Sequence, residues 1–110
     1  MESAYHPAAI HLWSGDFASQ QLAFAHLLDA ADFSDAVIDM DAVEVIPAAK
    51  AALRLAPYLG TEINDLPDAP TLILLAAPPD QPPPFEHTAL LRYAGCRSGR
   101  VLRAPGSAWT

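Results

Sequence analysis

The segment Thr71-Leu72-Ile73-Leu74-Leu75-Ala76-Ala77 constrains the fold more than any other part of the chain. It reads as a β-strand, and it is apolar at odd and even positions alike. Alternate side chains of a strand point to opposite faces, so this one must be covered on both. The run therefore predicts a central strand in a sheet that has further structure packed on each side. It is far too short to span a bilayer.

The other elements can be placed around it. Ala8-Ala9-Ile10-His11-Leu12-Trp13 reads as a second strand, with Ile10 and Leu12 on one side and His11 and Trp13 on the other. Ser14-Gly15-Asp16 ends it with turn-forming residues. A helix follows, capped by Ser19 or by Asp16. Phe24, Leu27, Leu28 and Ala31 recur at i, i+3, i+4 and i+7 and predict its buried stripe, with Leu22, His26 and Asp29 on the opposite face. Asp32 to Asp35 is expected to be a loop, and Ala36 to Met40 a short strand leading into Asp41. Pro47 suits the first turn of a second helix, Ala48 to Ala56 has the propensity to continue it, and Pro57 is expected to stop it. Lys50 and Arg54 then form a like-charged i, i+4 pair on its exposed face. Gly60 to Pro70 reads as a loop. Pro78 to Pro84 holds five prolines and predicts a stiff, polyproline-II-like connector. Thr88 to Ala94 and Arg100 to Ala104 read as two strands joined by a hairpin loop at Gly95-Cys96-Arg97-Ser98-Gly99. Trp109 is expected to pack back rather than lie on a free tail.

A chain of 110 residues has room for one core, so residues 1–110 are read as a single domain. The class is α+β: a mainly antiparallel sheet of four to five strands with two helices packed against it. Alanine supplies much of the 52% apolar content, so large core side chains are fewer than that figure implies. There is no internal repeat.

Charge is divided along the chain. Residues 1–49 contain no Lys or Arg and carry Glu2, Asp16, Asp29, Asp32, Asp35, Asp39, Asp41 and Glu44, a formal −8. From Arg92 onward the chain carries Arg92, Arg97, Arg100 and Arg103 and no carboxylate, a formal +4. Such asymmetry produces a directed field and favours a partner of opposite charge. An acidic half repels nucleic acid and anionic membrane, so a basic protein surface is the expected partner. The net charge of −7 and pI near 4.7 suit a soluble cytoplasmic protein. Met1 to Pro7 lacks the basic-then-apolar pattern of a signal peptide. Cys96 is the single cysteine, which excludes an internal disulfide.

Few residue patterns point to catalysis. Asp39-Met40-Asp41 followed by Glu44 is the main one, because residues i and i+2 of a strand share a face and two carboxylates could converge on Mg²⁺. On that reading the chain is a small metal-dependent hydrolase or transferase using Asp39 and Asp41. The supporting features are missing: there is no phosphate-cradling Gly-rich loop, no Thr two residues after Asp41 and no Glu-x-Lys. A partner-facing acidic edge is the favoured interpretation. His6, His11, His26 and His87 show no metal-ligand spacing. No serine stands in a nucleophile elbow. Cys96 is either a thiol with its pKa lowered by neighbouring arginines or an exposed loop thiol, the latter favoured. The arginines are expected to pair with the protein's own carboxylates. A third possibility is an adaptor recognised through its proline-rich segment.

Ile10-His11-Leu12-Trp13-Ser14-Gly15-Asp16-Phe17-Ala18-Ser19, the amphipathic helix after it, and Ile38-Asp39-Met40-Asp41-Ala42-Val43-Glu44 together resemble a family of bacterial immunity proteins. These are the partners of polymorphic and contact-dependent growth inhibition toxins, in the group known as immunity protein 22. The family opens with a strand ending in Trp-x-Gly-(Asn/Asp)-Phe-x-Ser, matched by Trp13, Gly15, Asp16, Phe17 and Ser19. After the helix it carries Asp-x-Asp-x-x-Glu, matched by Asp39, Asp41 and Glu44. The likeness covers about the first 45 residues. An aromatic is expected near Ala42, and the proline-rich and Arg-rich segments have no counterpart. The resemblance implies a cytoplasmic protein without cofactor or catalytic residues that binds and neutralises a cognate toxin domain, a basic nuclease by the charge argument. Asp16, Asp32, Asp35, Asp39, Asp41 and Glu44 would face the toxin. Trp13, Gly15, Phe17 and Ser19 would be structural.

Overall fold

The computed structural model describes residues 5–33, 43–59, 66 and 69–102. Its elements are β1 (Tyr5–Gly15), α1 (Gln20–Phe33), β2 (Val43–Pro47), α2 (Ala51–Leu59), β3 (Thr71–Ala77) and β4 (Leu91–Leu102). The strands form one sheet in the order β2-β3-β1-β4, antiparallel at every pairing. The fold is α+β, a four-strand antiparallel sheet with two helices packed against it. No helix among the described residues is long and apolar enough to cross a membrane.

All seven residues of β3 are buried, and they are buried by different partners. Leu72, Leu74 and Ala76 join Ile10 and Leu12 of β1, Ile46 of β2 and Val101 of β4 under Leu55 and Leu59 of α2. Ile73 and Leu75 join Trp13, Val43, Val45 and Leu91 under Ala23 and Leu27 of α1. The two helices thus cover opposite faces of the sheet. This answers the demand made by a strand with no polar side, and each fully buried Leu or Ile contributes about 1.5–3 kcal/mol.

Beside α1, the same face is covered by the β3–β4 connector, residues 78–90. Trp13 Nε1 donates to the Glu86 carbonyl at 2.8 Å, and the Trp13 ring packs between Phe85 and Tyr93 with centroids 5.1 and 5.4 Å away. The connector is not a straight polyproline rod. It opens with a turn in which Gln81 N–H donates to the Pro78 carbonyl at 3.1 Å and Asp80 has φ 66°. Pro79 at the second turn position presets the bend.

Several sequence expectations are corrected. Helix α1 buries Ala23, Leu27 and Ala31, an i, i+4, i+8 line, while Leu28 is 48% exposed and Phe24 only half-buried. With Ala23, Leu27 and Ala31 turned inward, Leu28, about 100° round the helix from Leu27, is left facing outward. His26 accordingly turns inward, against Phe17 and Thr88. Asp32 belongs to the last turn of α1, not to a loop, because Ala30-Ala31 carries the helix on. Ser19 caps it, accepting from Leu22 N–H at 3.2 Å.

Pro47 ends β2 at the edge of the sheet, where a missing N–H is tolerated. A 3₁₀ turn, Ala48–Lys50, then leads into α2. Pro57 lies inside α2, which continues to Leu59 because Leu59 is buried and Tyr58 packs on the same cluster.

The expected hairpin at residues 95–99 is absent. Leu91–Leu102 is one twelve-residue strand paired along the whole of β1. Gly95, at φ 104°, forms a β-bulge opposite Leu12/Trp13 in place of a turn. Gly99 is required by close approach: a Cβ there would lie 2.6 Å from the Tyr58 carbonyl oxygen. The expected strand at 36–40, most of the 60–70 loop, Arg103-Ala104 and Trp109 lie outside the described residues.

Candidate functional site

Helix α1 presents an outer face that no described residue covers. At 100° per residue, Leu22, Asp29 and Phe33 fall within about 40° of one another, with Ala25 and Asp32 beside them. Phe33 is 93% exposed and Leu22 55%. Asp29 and Asp32 are exposed too, and the helix has no basic residue in its last turn. Asp29 and Asp32 are i, i+3 neighbours of like charge near the negative end of the helix dipole, an unfavourable placement on both counts.

The linear charge asymmetry becomes an asymmetry across the sheet. Among the described residues, the side covered by α1 and the connector carries Asp29, Asp32, Asp80 and Glu86. Of the five described cations, four lie on the other side, and the fifth, Arg100, starts on the α1 face by its register with Pro7 and reaches round the β4 edge. Lys50 and Arg54 belong to the α2 segment, and Arg92 and Arg97 pair with Ser14 and Ile10, whose side chains share the α2 face. Arg100 Nε donates to the Pro57 carbonyl of α2 at 3.4 Å. The bulge sets this arrangement. It shifts the alternation of β4 by one, so Arg92 and Arg97, five apart, face the same way.

The sequence-derived acidic set does not converge. Asp16, exposed at the end of β1, lines an open cleft of about 380 Å³ with Ser14, Pro70, Thr88, Leu90 and Arg92. Asp32 stands at the far end of α1. Glu44 turns toward α2, where Arg54 takes its carboxylate in an ion pair. Tyr58 joins that pair: burial, aided by its hydrogen bond to Glu44, pushes its hydroxyl pKa up to about 12. Asp35, Asp39 and Asp41 lie outside the described residues. No group of three or more His, Cys, Asp or Glu able to hold a metal occurs among the described residues.

Trp13 is completely buried, Phe17 is half-buried against the Gly15 backbone, and Ser19 is the helix cap. Cys96 is exposed as expected, but on β4 and not in a loop, and partial burial of its thiol raises its pKa. Neighbouring arginines do not lower it, because Arg92 and Arg97 point to the opposite face.

Asp29, Leu22 and Phe33 do not stand out in the sequence as a site. The available signal is two large apolar residues eleven apart on the polar face of a helix. Comparison with protein-family models, curated proteins and solved structures finds no match to this chain.

Proposed function

We propose that this protein is an immunity-type inhibitor that binds a basic toxin domain one-to-one and neutralises it by occlusion, without catalysis. The reading rests chiefly on the partition of charge across the sheet. The α1 side carries four carboxylates and no Lys or Arg in its helix or connector among the described residues. Such a face steers a cationic protein and repels nucleic acid, so it suits a partner whose own basic surface holds a nucleic-acid substrate. The likeness of Trp13 to Ser19 and of Asp39 to Glu44 to the immunity protein family supports the same reading.

The test takes basic toxin-type domains encoded by genes next to the one for this chain, each immobilised for kinetic measurement. Association should approach roughly 10⁸ M⁻¹s⁻¹ at low salt and fall steeply as salt rises. Toxin activity should titrate to zero at one equivalent. Binding that is insensitive to salt, or residual activity at saturation, would falsify the reading.

A further inference from the structure

We propose that Phe33 and Leu22 anchor the partner on α1, and that the partner presents two apolar pockets with Lys or Arg side chains between them. This rests on the reading above and names the chemistry of the surface it requires. The two residues are eleven apart on a helix that rises 1.5 Å per residue, so their Cα atoms are roughly 16 Å apart. Asp29 lies between them on the same line, and Asp32 beside it. A complementary surface must therefore offer an apolar pocket, a cation and a second apolar pocket over that span.

Three observations favour this face. Phe33 and Leu22 sit on the polar side of α1 and belong to neither core cluster of the described residues. Asp29 and Asp32 stand where the helix dipole and their mutual repulsion oppose them, and a docked cation relieves both. The opposite side of the sheet gathers four of the five described cations and so disfavours the same partner. Aromatic residues at the centre of an interface carry a large share of binding energy through the dissociation rate, whereas peripheral charges act on the association rate.

The experiment is kinetics of the same toxin domain with Phe33→Ala, Leu22→Ala, Phe33→Tyr, Asp29→Asn/Asp32→Asn and Leu53→Ala. Leu53 is 73% exposed on α2 and serves as the control. Phe33→Ala should raise the dissociation rate at least about tenfold, with Leu22→Ala in the same direction, and with melting temperature unchanged. Phe33→Tyr should keep slow dissociation, and Leu53→Ala should match wild type. The double Asn variant should slow association and flatten its salt dependence. If that variant behaves so while Phe33→Ala and Leu22→Ala dissociate like wild type, the anchors are wrong and the inhibitor reading stands. If no α1 variant changes either rate, the inhibitor reading loses its surface as well. A drop in melting temperature for Phe33→Ala would place the ring in the protein's own packing and overturn the proposal.

Discussion

Nε2 of His11 lies 2.9 Å from the carbonyl oxygen of Gln81. A carbonyl only accepts, so Nε2 carries the proton and Nδ1 accepts from the Tyr93 hydroxyl at 2.8 Å. The neutral imidazole therefore holds the start of the connector to β1. Two further histidines act on the same stretch: His26 Nε2 lies 2.6 Å from the Thr88 hydroxyl, and His87 Nδ1 accepts from the Tyr93 N–H at 3.1 Å. Three of the four histidines in the chain thus fasten the connector over Trp13.

This fastening should depend on pH. Burial pushes the His11 pKa below its ordinary 6.5, and the hydrogen bond to Gln81 offsets only part of that. The folded protein then binds fewer protons than the unfolded chain wherever the free imidazole titrates. The His11 contribution is complete above pH about 6.5 and is lost as pH falls from there through the lower folded value. The other ionisable groups on this side are His26, His87, Asp29, Asp32, Asp80, Glu86, Tyr93 and Cys96. Melting temperature should drop between about pH 7 and about pH 5. His11→Phe should flatten that slope and lose about 1–3 kcal/mol, since the Gln81 carbonyl and Tyr93 hydroxyl lose their partner. Identical slopes for the two proteins would mean that His11 is not the group responsible.

Trp13→Ala should cost about 3–5 kcal/mol, as expected for a large aromatic deleted from a core. The ring fills the space between β1, β4 and the connector, and its N–H holds Glu86. Chemical denaturation would measure the loss. The surviving folded fraction should bind the toxin domain with wild-type rates, because no part of Trp13 reaches the surface.

Gly99→Ala should destabilise by about 1–3 kcal/mol, because the added methyl meets the Tyr58 carbonyl and Ile10. Gly95→Ala should cost about 1–2 kcal/mol for a different reason: the space around it is open, but its φ of 104° disfavours a side chain. Urea titration of the two variants would check both. A neutral Gly99→Ala would mean that β4 and α2 are further apart than described.

These two glycines also mark where sequence reasoning runs out. β3 is legible because a strand apolar on both faces has one solution, and β1 because Ile10/Leu12 and His11/Trp13 alternate cleanly. The bulge at Gly95 reads locally as a hairpin because Gly signals a turn, a bulge or a close approach alike, and only the length of β1 decides among them. Pro57 reads as a helix stop on local propensity, while burial of Leu59 two residues later outweighs it. Of the acidic site, the sense of the charge is legible but its placement is not. Glu44 turns inward to Arg54 because strand parity, set by pairing with Leu74, points it toward α2.

Asp32→Asn should separate stability from function. Asp32 lies in the last turn of α1, which holds no basic residue, so its charge faces the negative end of the helix dipole and the carboxylate of Asp29 three residues earlier. Neutralising it removes both repulsions and should stabilise the free protein by about 0.3–1 kcal/mol at low salt. The gain should shrink as salt screens the surface. The same change should slow association with a basic toxin domain, because the carboxylate belongs to the field that steers the encounter. A residue that costs stability in the free protein and is compensated only in a complex marks a docking surface. Paired thermal melts and association kinetics at two salt concentrations would measure the two effects. If Asp32→Asn leaves association untouched while raising stability, Asp32 is only a poorly placed helix residue, and the docking face must be sought elsewhere on the acidic side.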